Sequence, residues 1–382
     1  MAAKQKIEEK SQSSKSSLNA LLSETKDDHF VFVDKICKVI PTGSLILDSM
    51  IKIRSGDIVR LCAKGSELGK SSQAFVFAHN FHKQFQKGKT IYIMSEARLS
   101  PEMQGRSGHK FAFSPDDWEY GTVFVFPCNV FETIAKVLEQ LLKDMTSSGE
   151  NLCIIWDSLD GAILKQDSLK DVWDGKESPK VAGVPLLTKL LFKRFALPVN
   201  YSDCLMIIIS QYSTDIKLDP YSKEPPRQNA AAGGSSINHM SSYTLTYMPR
   251  YGGDMILEKP NEKPDPVKNK TLGLYATVEI TKSGTDVSGT KVKIPIRKGV
   301  VGPAIWTEKE IVDMAMSYEM LKRSGAWYKF PDDVIKMAES DGITLKDSIQ
   351  GESGVLDYFS SNKDILKWFG NKIRGFLGLE NS

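Results

Sequence analysis

Between residues 56 and 210 short apolar runs alternate with helix-length amphipathic stretches, and this alternation narrows the possible folds more than any other feature. Gly56–Leu61, Thr90–Met94, Thr122–Pro127, Leu152–Trp156 and Cys204–Ser210 read as strands, and Gly69–Gln86, Asn129–Met145 and Val184–Leu197 as helices. In the helix from Asn129, residues Phe131, Ile134, Val137, Leu138, Leu141 and Leu142 share one face. Strands apolar on both faces, separated by helices, predict an α/β fold with a mostly parallel sheet covered on both sides. After Ser242 strands follow one another (Tyr243–Tyr247, Met255–Glu258, Ala276–Thr281, Lys291–Ile296), which suits an antiparallel extension of that sheet. From about Thr307 the pattern is mainly helical, and a small C-terminal α/β domain is expected.

At 382 residues the chain has room for two or three domains. No run reaches the ~18 apolar residues of a membrane span, and the first residues lack the apolar core of a signal peptide. Cys37, Cys62, Cys128, Cys153 and Cys204 are scattered and unpaired in sequence, so reduced thiols and a cytoplasmic location are expected. The net charge of +3 neither requires nor excludes a nucleic-acid partner. Residues 1–27 are polar, but Leu18, Leu21 and Leu22 have helical spacing, and His29–Lys35 reads as a lone strand.

Four positions at strand ends suggest chemistry. Ala63-Lys64-Gly65-Ser66-Glu67-Leu68-Gly69-Lys70-Ser71-Ser72 joins a strand to a helix. A Gly-rich turn and a helix N-terminus there would converge N–H groups on phosphate, with Lys70 on the β/γ-phosphates and Ser71 on Mg²⁺. The glycine of the usual pattern is displaced by one residue, Lys64 standing in its place. Asp157 ends an apolar strand, where a carboxylate would support the metal. Glu96 follows the strand Thr90–Met94; if that strand neighbours the loop's, it could polarise an attacking water. Gln211 follows Ser210, where an amide could meet a γ-phosphate. Two long polar stretches, Gln166–Pro179 and Tyr212–Gly234, read as functional loops at one end of the sheet.

These motifs, in this order, resemble a RecA-type recombinase, in its phage UvsX-like branch. Ile40-Pro41-Thr42-Gly43-Ser44 is similar to the opening of that family's core, and Met94-Ser95-Glu96-Ala97-Arg98 to the segment with its catalytic glutamate. Asp157-Ser158 and Ser210-Gln211 resemble its second nucleotide motif and γ-phosphate sensor, and Gly233-Gly234 the glycines closing its second DNA loop. Leu321-Lys322-Arg323-Ser324-Gly325-Ala326-Trp327-Tyr328 is similar to the start of its C-terminal domain. The chain departs from the family at Lys64, at Ser100 and Met103 in the base-contacting stretch, and at Gly284, where a second interface cation is usual; Lys282 matches the first.

The resemblance implies a RecA-like P-loop ATPase core at 40–302, an N-terminal oligomerisation segment at 1–39 and a C-terminal domain at 303–382. It implies ATP and Mg²⁺ as cofactors, with Lys70, Glu96 and Gln211 catalytic. Residues 65–72, Asp157 and Lys282 would hold nucleotide, and Ser71 and Asp157 the metal. Single- and double-stranded DNA would meet Lys180, Lys189, Lys193, Arg194, Arg227, Gly233 and Gly234. Partners would be further copies in a helical filament, a single-strand-binding protein and a loader, with no membrane. Filament-based strand exchange is the expected function. The alternatives are a ring ATPase or helicase on the same core, and a filament protein that uses ATP only as a switch. His79 and His82 are spaced i, i+3, but nothing in the sequence supplies the further ligands of a metal site.

Overall fold

The computed structural model describes residues 17–24, 37–65, 68–96, 99–168, 183–214, 228–230, 234–260, 262–299 and 301–379. They fall in two compact units, Met1–Cys37 and Lys38–Ser382. In the first, helix α1 spans residues 17–24 and leaves Leu18, Leu21 and Leu22 exposed. The lone strand expected at His29–Lys35 lies outside the described residues.

The second unit is built on a sheet in which β1 (Ile58–Ala63) lies between β6 (Leu205–Thr214) and β8 (Tyr243–Tyr247). Beyond β6 follow β5 (Asn151–Asp157), β2 (Gly88–Met94), β4 (Val123–Pro127) and β3 (Phe111–Ala112), all parallel. Beyond β8 come β10 (Thr271–Lys282) and β11 (Lys291–Arg297), both antiparallel to their neighbours, and β9 (Met255–Leu257) pairs antiparallel with β10; α4 (Pro101–Ser107) and α6 (Lys165–Ser168) are short helices in the connections. Alternate side chains face opposite layers, as the pleat requires. Val59, Leu61, Cys153 and Ile155 pack with Phe77 and Phe81 of α3 (Lys70–Gln84). Ile58, Ile154, Trp156 and Ile208 pack with Leu138 of α5 (Phe131–Ser148) and Phe192 of α7 (Gly183–Tyr201).

Two expectations need correcting. The strand Tyr243–Tyr247 is parallel to β1, so the antiparallel extension begins only at β10. The reason is α8 (Gly234–Met240), which carries the chain back across the sheet before β8 and makes the connection a crossover. The stretch Tyr212–Gly234 is not wholly loop: β6 runs on to Thr214 and pairs antiparallel with β7 (Gln228–Ala230).

Toward the C-terminus, α9 (Thr307–Ser317), α10 (Asp332–Ser340), α11 (Gly351–Ser361) and α12 (Lys363–Phe376) surround a core containing Ile311, Phe330, Phe359 and Phe369. A three-stranded sheet joins β12 (Lys322–Ser324), β13 (Trp327–Lys329) and β14 (Ser348–Gln350), so the Gly-Ala-Trp-Tyr segment is the turn and second strand of a hairpin. This region is tied to the core through α2 (Leu45–Met50). Glu310 on α9, buried, accepts from Ser44 Oγ at 2.5 Å and from the N–H of Leu45 at 3.0 Å. Burial, opposed by those donors, holds its carboxyl up at about 7. Cys62, Cys153 and Cys204 are buried free thiols. Among the described residues no helix is long and apolar enough to cross a membrane.

Candidate active site

The polar cluster lies where the parallel strands end. β1 stops at Ala63, and Gly69, with φ +98°, turns the chain into α3; a Cβ there would come within 2.6 Å of Ile296 Cδ1. Lys70 and Ser71 therefore occupy the first turn of α3, whose N-terminal amides carry partial positive charge. Lys70 is buried. Gly65, Leu68 and Ser72 flank them, while Ser66 and Glu67 lie outside the described residues. Lys64 extends its ammonium toward the Tyr212 ring, 6.0 Å from its centroid.

Asp157 is the hub. Ser71 Oγ donates to its Oδ2 at 2.7 Å, and the Tyr92 hydroxyl donates to the same oxygen at 2.8 Å. Burial raises the Asp157 pKa above the ordinary carboxylate value, against the pull of those two hydroxyls. A hydroxyl and a buried carboxylate in contact form the hard oxygen set that Mg²⁺ prefers, so the residues fit that ion.

Glu96 reaches this cluster by a route other than the expected one. β2 is not a neighbour of β1; β6 and β5 stand between them. Instead β2 pairs with β5, with Met94 opposite Asp157, and Ser158 Oγ donates to Glu96 Oε1 at 2.5 Å. Gly161 makes the approach possible, since a Cβ there would lie 2.9 Å from Glu96 Cγ and from the Ser95 carbonyl. Gln211 lies opposite Ala63 in the β1–β6 register, beside the loop's entry. Its backbone N–H donates to Asp160 Oδ2 at 2.8 Å, and burial lifts the Asp160 carboxyl to about 6.

Tyr92, Asp160 and Gly161 escaped sequence reasoning because each acts through a contact with a residue distant along the chain. Ser158 carried a signal, as the second residue of the Asp157-Ser158 pair.

The other expected residues are more dispersed. The Lys282 ammonium donates to the carbonyls of Asn238, His239 at 3.1 Å and Ser241 at 2.6 Å, and so caps the carboxyl end of α8. Lys189, Lys193 and Arg194 are exposed on α7, where Arg194 bonds Glu139 of α5 at 3.3 Å. Gly234 opens α8; Lys180, Arg227 and Gly233 lie outside the described residues. A cavity beside the start of α3 is lined by Ser72, Phe75, Met103, Arg106, Arg297 and Pro303 among others. His79 and His82 are joined by His109, at 6.0 and 5.9 Å between ring centroids. His82 bonds Thr90 and His109 bonds the Phe75 carbonyl, and no metal-holding group is found among the described residues.

Fold and site define an α/β protein with a polar cluster where a strand, a Gly-rich turn and a helix meet. No protein-family model matches the chain. Relatives named Protein RecA, from Bacillus velezensis and Bacillus subtilis, are 26% and 27% identical over 133 residues, 30% of this chain. The match spans about a third of those relatives' length, 35% and 34%. Protein RecA of Borrelia duttonii is 24% identical over 354 residues, covering 90% of this chain and 82% of that one. The mostly parallel sheet and these relatives are consistent with a RecA-like core and support a RecA-type relationship.

Proposed function

We propose that the chain is a RecA-type recombinase: a DNA-dependent ATPase that assembles on single-stranded DNA, pairs it with a homologous duplex and exchanges strands. The observation that carries this reading is the joining of Ser71, Asp157 and Tyr92 through one carboxylate oxygen, with Ser158 linking Glu96 to the same strand end. The N-terminus of α3 and Lys70 hold the phosphates of ATP, and Ser71 and Asp157 hold Mg²⁺. When bound, Mg²⁺ neutralises charge on the phosphate oxygens. Ser158 fixes one oxygen of Glu96, leaving the carboxylate oriented to take a proton from the attacking water. Gln211, beside the loop, senses the γ-phosphate.

Exposed Lys189 and Lys193 share a face of α7 and supply phosphate contacts without sequence preference, with Lys180, Arg194, Arg227 and the Gly233-Gly234 turn. Lys282, tied to α8 within its own chain, turns to a neighbour's nucleotide only on assembly. Residues 1–39 serve assembly, 40–302 form the ATPase and 303–382 an accessory domain. The phage UvsX-like branch and a cytoplasmic location complete the proposal on sequence resemblance. Steady-state ATP hydrolysis with and without single-stranded DNA tests it: turnover should rise with DNA. Turnover indifferent to DNA would leave an ATPase of another kind.

A further inference from the structure

Arg60 lies in the middle of β1, the strand that feeds the Gly-rich loop, and is fully buried. A strand covered on both faces ordinarily takes Val or Ile at such a position. A guanidinium there is costly to desolvate unless its donors are met. Here they are met in two directions. Nε–H donates to Ser210 Oγ at 3.2 Å, and an Nη1 hydrogen is donated to Asn238 Oδ1 at 2.7 Å. Ser210 immediately precedes Gln211 on β6, and Asn238 sits on α8, which begins where the chain returns from its excursion after β6. The same positive charge opposes the effect of burial on Asp160, the carboxylate that holds the Gln211 N–H. On the far side, the carbonyl of Asn238 is gripped by Lys282.

Resting on the ATPase and DNA reading above, we infer that Arg60 is a positioning residue that couples the two sites, holding the nucleotide-facing end of β6 and helix α8 in one fixed relation. Two planar donors pointing at two elements form a strut that a lysine cannot reproduce, because an ammonium is a compact point charge without the fork. A shift of α8 on DNA binding is thereby passed to Ser210 and Gln211, and a change at Gln211 is passed back, as reciprocity of coupled sites requires. The strut touches neither nucleotide nor DNA, so its removal affects communication between the sites and leaves binding of nucleotide in place.

The test uses the full chain with Arg60→Lys, Arg60→Met and Asn238→Ala. The last removes the acceptor on α8 and keeps both the guanidinium and its bond to Ser210. Binding of a fluorescent ATP analogue, DNA-free turnover and turnover saturated with poly(dT) are measured for each, with thermal melting as a check on folding. Asn238→Ala and Arg60→Lys should bind the analogue and turn over without DNA within about twofold of the parent, while DNA stimulation falls by about fivefold or more, the lower end of the range for coupled sites. Stimulation within about twofold of the parent in Asn238→Ala and Arg60→Lys overturns the inference. So does a parallel loss of analogue binding and DNA-free turnover with the stimulation ratio intact, because that marks a purely structural role. Should Arg60→Met fail to fold, Asn238→Ala decides the question alone. A parent whose turnover ignores DNA overturns the ATPase and DNA reading itself, a result distinct from loss of coupling in the variants.

Discussion

Single side chains around Asp157 carry the proposed chemistry, and their removal should separate binding from turnover. Lys70→Ala takes away the ammonium at the first turn of α3, and hydrolysis should fall about 100-fold or more, as when one preorganised electrostatic group is lost. Near-parental turnover would remove the nucleotide assignment. Glu96→Gln keeps the size of the side chain and its reach to Ser158 but loses the base. ATP binding should persist while turnover drops below about a tenth of the parent's, a barrier change of ~1.4 kcal/mol. Lys70, Ser71 and Asp157 were legible in the sequence because strand–Gly-turn–helix and apolar-run-then-acid are local patterns. The position of Glu96 was not, because it depends on β2 pairing with β5, and strand order is set by packing far along the chain. Tyr92 and Gly161 left no local trace for the same reason: one meets Asp157 only across the β2–β5 pair, the other meets Glu96 only after both strands have ended.

The elements behave likewise. Periodicity located β1, α3, β2, β4, α5, β5, α7 and β6 within a few residues, since each is a buried strand or a one-sided helix. It could not tell that β8 runs parallel to β1, because strand direction follows from the connection and not from the strand's own composition. The short strands β12, β13 and β14 went unseen for lack of a long apolar alternation. Two elements make measurable predictions. Glu310→Ala on α9 leaves the Ser44 hydroxyl and the Leu45 N–H of α2 without their buried acceptor. Urea unfolding should show a loss of roughly 3 kcal/mol, since buried polar groups stripped of partners cost about 1–3 kcal/mol each. On α3, burial depresses the pKa values of His79 and His82, and that of neighbouring His109, with His82 at about 4. An exposed imidazole titrates near ~6.5, so the unfolded chain binds more protons in the window below that. These groups therefore contribute stability above pH ~6.5 that is lost as the pH falls toward 4. Other buried groups, Glu310 and Asp160 among them, are raised and work in the opposite sense, so the histidine effect is read by difference. His82→Gln should lose less melting temperature than the parent between pH 7 and pH 5; an equal loss would mean that His82 does not carry the acid sensitivity.

At the scale of the whole molecule, the proposed function needs copies of the chain to act together. Leu18, Leu21 and Leu22 are exposed on α1, a helix too short to be stable on its own apolar stripe. A heterologous contact through such a segment would repeat into an open helical array unless its rotation closes a ring. Deleting residues 1–35 should leave a folded protein that binds ATP weakly and gives no increase in light scattering with DNA and ATP. Scattering equal to the parent's would move the assembly surface elsewhere. The most direct test of the central claim is strand exchange between circular single-stranded DNA and homologous linear duplex, with ATP and Mg²⁺. Joint molecules and nicked circles should form with the parent and be absent with Lys70→Ala. A parent that hydrolyses ATP on single-stranded DNA yet yields no joint molecules would contradict the claim.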